Sequence, residues 1–220
     1  MMLLACVISA VIGYLMGSIN SAILTVKILK HEDIRNFGSG NAGLTNTLRC
    51  FGKGCALITL IGDLSKGMIA VLLSQYFGKL LVGADADFYL LGCMAGVAAM
   101  LGHMFPLYHG FKGGKGVLVS VSIFPILDWR IFLILIGIFA LVLAISKYVS
   151  LASIIATACC PVVTFLVQHF EGKFTSGQIL MHVGILCIMA FMIIFMHRSN
   201  IQRLIAGTEN KIGQKGTRNK

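Results

Sequence analysis

The sequence has 220 residues, 57% of them hydrophobic and 12% charged, with a mean hydropathy of +0.90. A soluble globular domain carries about twice that share of charge, and neither a disordered tail nor a collagen-like fibre has this apolar bulk, so all three classes are excluded. The few charges are lopsided, 18 Lys and Arg against 8 Asp and Glu for a net +10, which predicts an integral membrane protein with a basic minority.

Crossing about 30 Å of hydrocarbon takes ~20 mostly apolar residues. In chain order the candidate crossings are 2–26, 54–77, 88–101, 117–127, 131–146, 149–168 and 178–196. The first has no charge before Lys27 and no small-residue cleavage site, so it is read as a retained helix. Leu3-Leu4-Ala5-Cys6 lacks the basic flank of a lipoprotein signal and is not read as one. The second encloses Asp63 and Lys66, three residues apart on one helical face, which predicts an ion pair turned into the bundle. The fourth is too short for a straight crossing and is expected to tilt or re-enter. Of the seven cysteines, five lie inside apolar runs and Cys50 and Cys55 flank a loop end; they are read as packing hydrophobes.

Seven crossings with the N-terminus outside place fourteen of the 18 Lys and Arg in the cytoplasm. They are Lys27, Lys30, Arg35, Arg49, Lys53, Lys112, Lys115, Lys147, Arg198, Arg203, Lys211, Lys215, Arg218 and Lys220. Asp85, Asp87, Asp128 and Glu171 fall outside. The positive-inside asymmetry thus predicts an all-α polytopic membrane protein with seven transmembrane helices and a cytoplasmic C-terminus. Residues 1–220 form one membrane-embedded domain, with cytoplasmic loops at about 36–53, 102–116 and 197–211.

These loops are too specific in residue type to be plain connectors. The first reads Phe37-Gly38-Ser39-Gly40-Asn41-Ala42-Gly43-Leu44-Thr45-Asn46-Thr47-Leu48-Arg49. Its glycines permit positive φ and a backbone nest for an anion, and Arg49 is a fork suited to phosphate. The second ends in Lys112-Gly113-Gly114-Lys115-Gly116, alternating ammonium groups with bare backbone. It lacks the G-x-x-x-x-G-K-[ST] spacing of a nucleotide-hydrolysing loop. In the third, His197, Asn200 and Arg203 recur at three-residue spacing, one stripe if the helix continues. Glycine- and cation-rich loops on one face, without clustered metal ligands, point to acyl or phosphoryl transfer on phosphate compounds. A transporter or binding protein for organophosphates is the rival reading, though no internal repeat supports it.

The three loops resemble the three signature motifs of the PlsY family, the bacterial acyl-phosphate:glycerol-3-phosphate acyltransferases. The likeness rests on Gly38-Ser39-Gly40-Asn41-x-Gly43-x-Thr45-Asn46-x-x-Arg49, on Gly102-His103-x-Phe105-Pro106 with residues 111–116, and on His197-x-x-Asn200-Ile201-x-Arg203-Leu204-x-x-Gly207-x-Glu209-x-Lys211. Gly17-Ser18-Ile19, Asp63-x-x-Lys66-Gly67 and Tyr148-Val149-Ser150-Leu151 extend it over essentially the whole chain. Departures are Leu44 for the usual Ala, Leu118-Val119 for Ala-Thr, and Asn20 where Pro often stands. No His has Asp five residues on, so the H-x-x-x-x-D pattern of the other glycerol-phosphate acyltransferases is missing.

The resemblance implies a multi-pass bacterial inner-membrane enzyme whose active site faces the cytoplasm. It implies transfer of an acyl chain from acyl phosphate to the 1-hydroxyl of sn-glycerol 3-phosphate, giving lysophosphatidic acid and phosphate as the first step of phospholipid synthesis. An enzyme that makes acyl phosphate is then the expected functional link; no cofactor, metal or nucleic acid is expected. Ser39, Arg49, His197 and Asn200 are the expected catalytic residues. Gly38, Gly40, Asn41, Thr45, Asn46, Lys112, Gly113, Gly114, Lys115, Gly116 and Arg203 are expected to bind substrate phosphate, and Glu209 to hold the third motif by pairing with Arg203 or Lys211. Either His197 or the departing phosphate takes the hydroxyl proton.

Overall fold

The computed structural model describes residues 1–214. Lys215, Arg218 and Lys220 of the predicted cytoplasmic set lie outside the described residues. Ten α-helices and two short 3-10 turns, with no strand, make up the regular structure among the described residues. Helices α1 (Met2–Ser18) and α2 (Ser21–Lys30) form the first crossing, which was expected as one helix. The break falls at Ile19 and Asn20, both in extended backbone. Asn20 restarts the helix, its side chain accepting from Ile23 N at 3.0 Å. The Ile19 carbonyl left over by the break is taken by Lys66 Nζ at 3.0 Å, which satisfies it away from water.

Helix α3 (Leu44–Val82) starts well before the predicted second crossing and bends at Gly52, where φ is 81° and ψ is −176°. Its first two turns form a separate segment carrying Thr45 and Arg49. Helix α4 (Phe88–Met104) lies against α1 so closely that a Cβ on Gly17 would fall 1.9 Å from the Ala99 carbonyl oxygen. Small residues on both helices permit that approach, which is how helices associate where lipid removes the hydrophobic drive.

The short fourth segment is two helices, α5 (Val117–Val121) and α6 (Phe124–Leu127). Together they rise only about 15 Å, half the thickness of a hydrocarbon core. The segment runs antiparallel along α4, with Gly116 seated on Met100, Ile123 on Gly96 and Leu127 on Gly92. Helices α7 (Trp129–Ser146), α8 (Val149–Glu171) and α9 (Ser176–Met196) follow, and then the short α10 (Arg198–Ile205). Val71, Met100, Ile123, Phe124, Leu186 and Ile193 are among the core residues between α3, α4, α6 and α9. Among the described residues, six helical stretches are long and apolar enough to cross a membrane, and α5–α6 is a shorter apolar segment.

Side-chain pairs sort the helix ends. Arg130, at the start of α7, bonds Asp128 and also Glu171 at the end of α8, at 2.6 and 2.7 Å. Asp87, capping α4, receives Gln178 and His182 of α9, each at 3.1 Å. Ala5 of α1 packs beside Ala86 and Leu91. One end of the bundle therefore holds the starts of α1, α4, α7 and α9 with the ends of α3, α6 and α8. All three motif loops lie at the opposite end. Cys50, Cys55, Cys93 and Cys160 are buried in the packing, while Cys187 is exposed on the bundle's outer surface.

Candidate active site

The first loop is shaped by glycine and tied by asparagine. Gly38 and Gly40 have φ of 57° and 69°, left-handed values that favour glycine. Asn46, 2% exposed, accepts from Ser39 N at 3.1 Å and donates to Phe37 O at 2.9 Å. Gly40 N–H is given to Phe37 O and Gly43 N–H to Asn41 O. These contacts show how the loop uses its own polar groups. The Asn46 amide is occupied inside the loop rather than offered to phosphate, and several of the expected nest N–H groups are internally bonded. What the loop presents instead are the exposed Ser39 and Thr45 and the half-buried Arg49. None of these three side chains has a hydrogen-bond or ion-pair partner among the described residues. Thr45 and Arg49 share a face one helical turn apart.

The second loop folds back on the end of α4. Gly113 N–H donates to Met104 O at 3.1 Å and Gly114 N–H to His103 O at 3.0 Å, so these amides also build the loop rather than cradle an anion. Gly114 is needed for close approach, since a Cβ there would lie 2.1 Å from His103 Nε2 and 2.6 Å from Ala42 O of the first loop. Gly116 is buried at φ 84° and leads into α5. Arg35, read from sequence only as a topology cation, fastens the two loops. Its guanidinium donates to His109 O at 2.8 Å and Lys112 O at 3.3 Å while gripping Asp33. That hydrogen bond holds the Asp33 carboxyl below its usual range. Asp33-x-Arg35 just before the glycines was the sequence signal for this clasp.

The third motif is not one continuous helix. His197 sits between α9 and α10 with φ −92° and ψ 6°. Its Nδ1–H donates to Ile193 O at 2.8 Å, which leaves Nε2 with the lone pair. Burial, with Lys115 nearby, pushes the imidazole down to about 4, so the ring is neutral near pH 7. Asn200 and Arg203 converge on Glu209. Asn200 Nδ2 donates to Oε1 at 2.7 Å, Arg203 Nε to Oε2 at 2.6 Å, and Ser150 of α8 to Oε1 at 2.8 Å. Burial alone would raise the Glu209 carboxyl, but the hydrogen bonds from Asn200, Arg203 and Ser150 outweigh it and hold it low. Lys211 lies instead over the Tyr148 ring, 5.7 Å from its centroid.

The motifs meet at Lys115. Its ammonium donates to Asn200 Oδ1, joining the glycine loop to α10. Burial pushes Lys115 down to about 8, and the charges of Arg203 and Arg49 push the same way against Glu209. The charge of one cation from each of the other two motifs thus acts on the Lys115 ammonium.

Residues 7–207 match the family described as Glycerol-3-phosphate acyltransferase. The chain is 39% identical over 209 residues to the glycerol-3-phosphate acyltransferase of Clostridioides difficile (strain 630), covering 95% of this chain and 96% of that one. It is 42% identical over 209 residues to that of Thermoanaerobacter sp. (strain X514), covering 95% and 96%. It belongs to the glycerol-3-phosphate acyltransferase family. The fold agrees: the crystal structure of PlsY (YgiH), an integral membrane glycerol 3-phosphate acyltransferase, superposes with a TM-score of 0.76 at 32% identity in its glycerol 3-phosphate form. That match covers 94% of this chain and 96% of the PlsY chain. The lysophosphatidic acid form of PlsY gives 0.72 at 30% identity, covering 94% and 95%.

The expected site residues of this acyltransferase divide by place. Asn200 and Arg203 bond Glu209 and Lys115 bonds Asn200, while the charge of Arg49 acts on Lys115 and those of Lys115 and Glu209 act on His197. Ser39, Asn41 and Thr45 present side chains from the first loop. Lys112 shares none of Lys115's contacts and lines a cleft of about 970 Å³ with Lys27, Arg35, Gly40 and Phe111. Sequence reasoning missed Ser150 and His103 as supports, although both stood inside motifs it had quoted. Nothing in the spacing links Ser150 to Glu209, 59 positions away.

Proposed function

We propose that this acyltransferase takes its acyl chain from acyl phosphate and places it on the 1-hydroxyl of sn-glycerol 3-phosphate. The products are lysophosphatidic acid and inorganic phosphate, and the motif face is the cytoplasmic side of a bacterial inner membrane. The observation that carries this reading is the chain of contacts that joins Lys115 of the glycine loop to Asn200 and, through Glu209, to Arg203, with the charge of Arg49 acting on the same ammonium. Two anionic substrates have to be brought together there, and cations fixed in place suit that task. The glycerol 3-phosphate and lysophosphatidic acid forms of the similar PlsY structures support the same substrate and product.

In the reaction the hydroxyl oxygen attacks the acyl carbonyl carbon, the carbon–oxygen bond to phosphate breaks, and phosphate leaves with the bonding pair. Acyl phosphate is a mixed anhydride, so positioning and charge neutralisation carry most of the work. Arg49 grips a phosphate through its fork, with Ser39 and Thr45 as hydroxyl donors beside it. Lys115, steered by Asn200, and Arg203 neutralise charge on the departing group. Lys112 adds charge from the neighbouring cleft. His197 Nε2 accepts from the attacking hydroxyl and orients it. Held near 4, His197 is too weak a base to keep the proton. The proton therefore ends on the leaving phosphate, which departs as hydrogen phosphate.

The test is direct. Purified protein in detergent, given acyl phosphate and glycerol 3-phosphate, is expected to release phosphate and lysophosphatidate in equal amounts. Product from acyl thioesters alone would overturn the donor assignment. A reporter fused after Lys220 and active only outside the cytoplasm would overturn the orientation, which the clustering of basic residues at the motif end supports.

A further inference from the structure

Asp63, Lys66 and His103 form a buried cluster that the reaction above leaves without a role. None is more than 4% exposed. Lys66 Nζ lies 2.9 Å from Asp63 Oδ1, 2.9 Å from His103 Nδ1 and 3.0 Å from Ile19 O. An ammonium has donors and no acceptor; here it donates to Ile19 O and His103 Nδ1 and pairs by charge with Asp63. His103 Nδ1 therefore carries the lone pair and Nε2 carries the ring proton.

The acceptors belong to three different parts of the scaffold: the α1–α2 break, α3 and the end of α4. Each leads to a motif loop. His103 receives the Gly114 N–H on its own carbonyl at 3.0 Å, and its Nε2 side faces the Gly114 Cα. Asn20, beside Ile19, donates to Ala42 O of the first loop at 3.4 Å, and that oxygen also borders Gly114. An ion pair between Asp63 and Lys66 needs nothing from His103. Here an N–H of Lys66 is aimed at the residue against which the glycine loop rests.

We propose that Lys66, acting through His103 Nδ1, is a positioning residue that sets the glycine loop and hence the place of Lys115. The proposal rests on the acyl-transfer reading for its activity readout. Removing Lys66 leaves Asp63 buried and unpaired, so that variant is expected to misfold and does not serve as the test. His103 does serve, because asparagine puts an oxygen where Nδ1 stands, whereas glutamine reaches the position of Nε2.

His103→Asn keeps the acceptor for Lys66 and is expected to stay within about tenfold of the parent in kcat/KM for glycerol 3-phosphate, the scale of one hydrogen bond. His103→Gln is expected to lose about 100-fold, the scale of a misplaced catalytic group. Hydrogen exchange at residues 113–116 should quicken in the glutamine variant and not in the asparagine variant. The pH–rate profile should keep the parent's shape in both. Activity retained by glutamine and lost by asparagine would move the role to Nε2 and overturn the proposal. Loss of one limb of the pH profile in both would make His103 an acid–base group and overturn it equally. Two variants indistinguishable from the parent would leave the network without function. If the parent itself makes no product from acyl phosphate, the acyl-transfer reading fails, while the exchange measurement still tests the positioning.

Discussion

Glu209→Gln isolates the charge of the carboxylate while keeping its shape. In the parent the carboxylate accepts from Asn200 at 2.7 Å, Arg203 at 2.6 Å and Ser150 at 2.8 Å. Glutamine retains one oxygen, so the Asn200 and Ser150 bonds drop from charge-assisted to neutral strength, a loss of about 1 kcal/mol each. The Arg203 side chain is 36% exposed, so solvent screening limits its pair with Glu209 to about 1 kcal/mol. The combined loss of about 3 kcal/mol corresponds to roughly 100-fold if it falls on the placement of Asn200, and through Asn200 on Lys115. Steady-state kinetics with both substrates, beside a thermal-shift measurement, should show kcat/KM down on that scale with the fold intact. A glutamine variant within threefold of the parent would refute the idea that the carboxylate's charge holds the third motif against the glycine loop.

Arg49→Lys should fold normally, since Arg49 has no partner to lose among the described residues, yet lose on the order of 100-fold in kcat/KM because a point charge cannot grip phosphate with two parallel bonds. Lys115 carries its charge below about 8 and loses it as pH rises through that value. The kcat/KM for glycerol 3-phosphate should therefore fall on the alkaline side, and Lys115→Arg should remove that limb whatever its absolute rate. Gly17→Ala would force a Cβ to within 1.9 Å of Ala99 O and should cost about 3 kcal/mol or more, read as a lower unfolding midpoint; an unchanged midpoint would contradict the α1–α4 packing.

The all-α membrane fold was legible from composition because a hydrocarbon solvent admits few spanning structures, and long apolar runs declare themselves. The fourth segment was legible as too short for a straight crossing, although nothing in its pattern showed that it would break into two helices resting on α4. The Asp63–Lys66 pair followed from a three-residue spacing. Its third partner, His103, lies 37 positions from Lys66 and is invisible to local pattern. The glycines of the first two loops were read as anion cradles because composition reports backbone freedom. It does not report where each N–H points, and several of them point inward.

By itself the sequence determined the solvent this chain lives in, the face that gathers its cations, and the residue types available to meet phosphate. Those are matters of composition and order along the chain. The tertiary structure decided which of these residues are free to act. Asn46 is tied up within its own loop, Arg35 binds two loops together, and Lys115 reaches Asn200 across 85 positions. Such assignments depend on satisfying every buried donor and acceptor at once, a condition that exists only after the helices have packed.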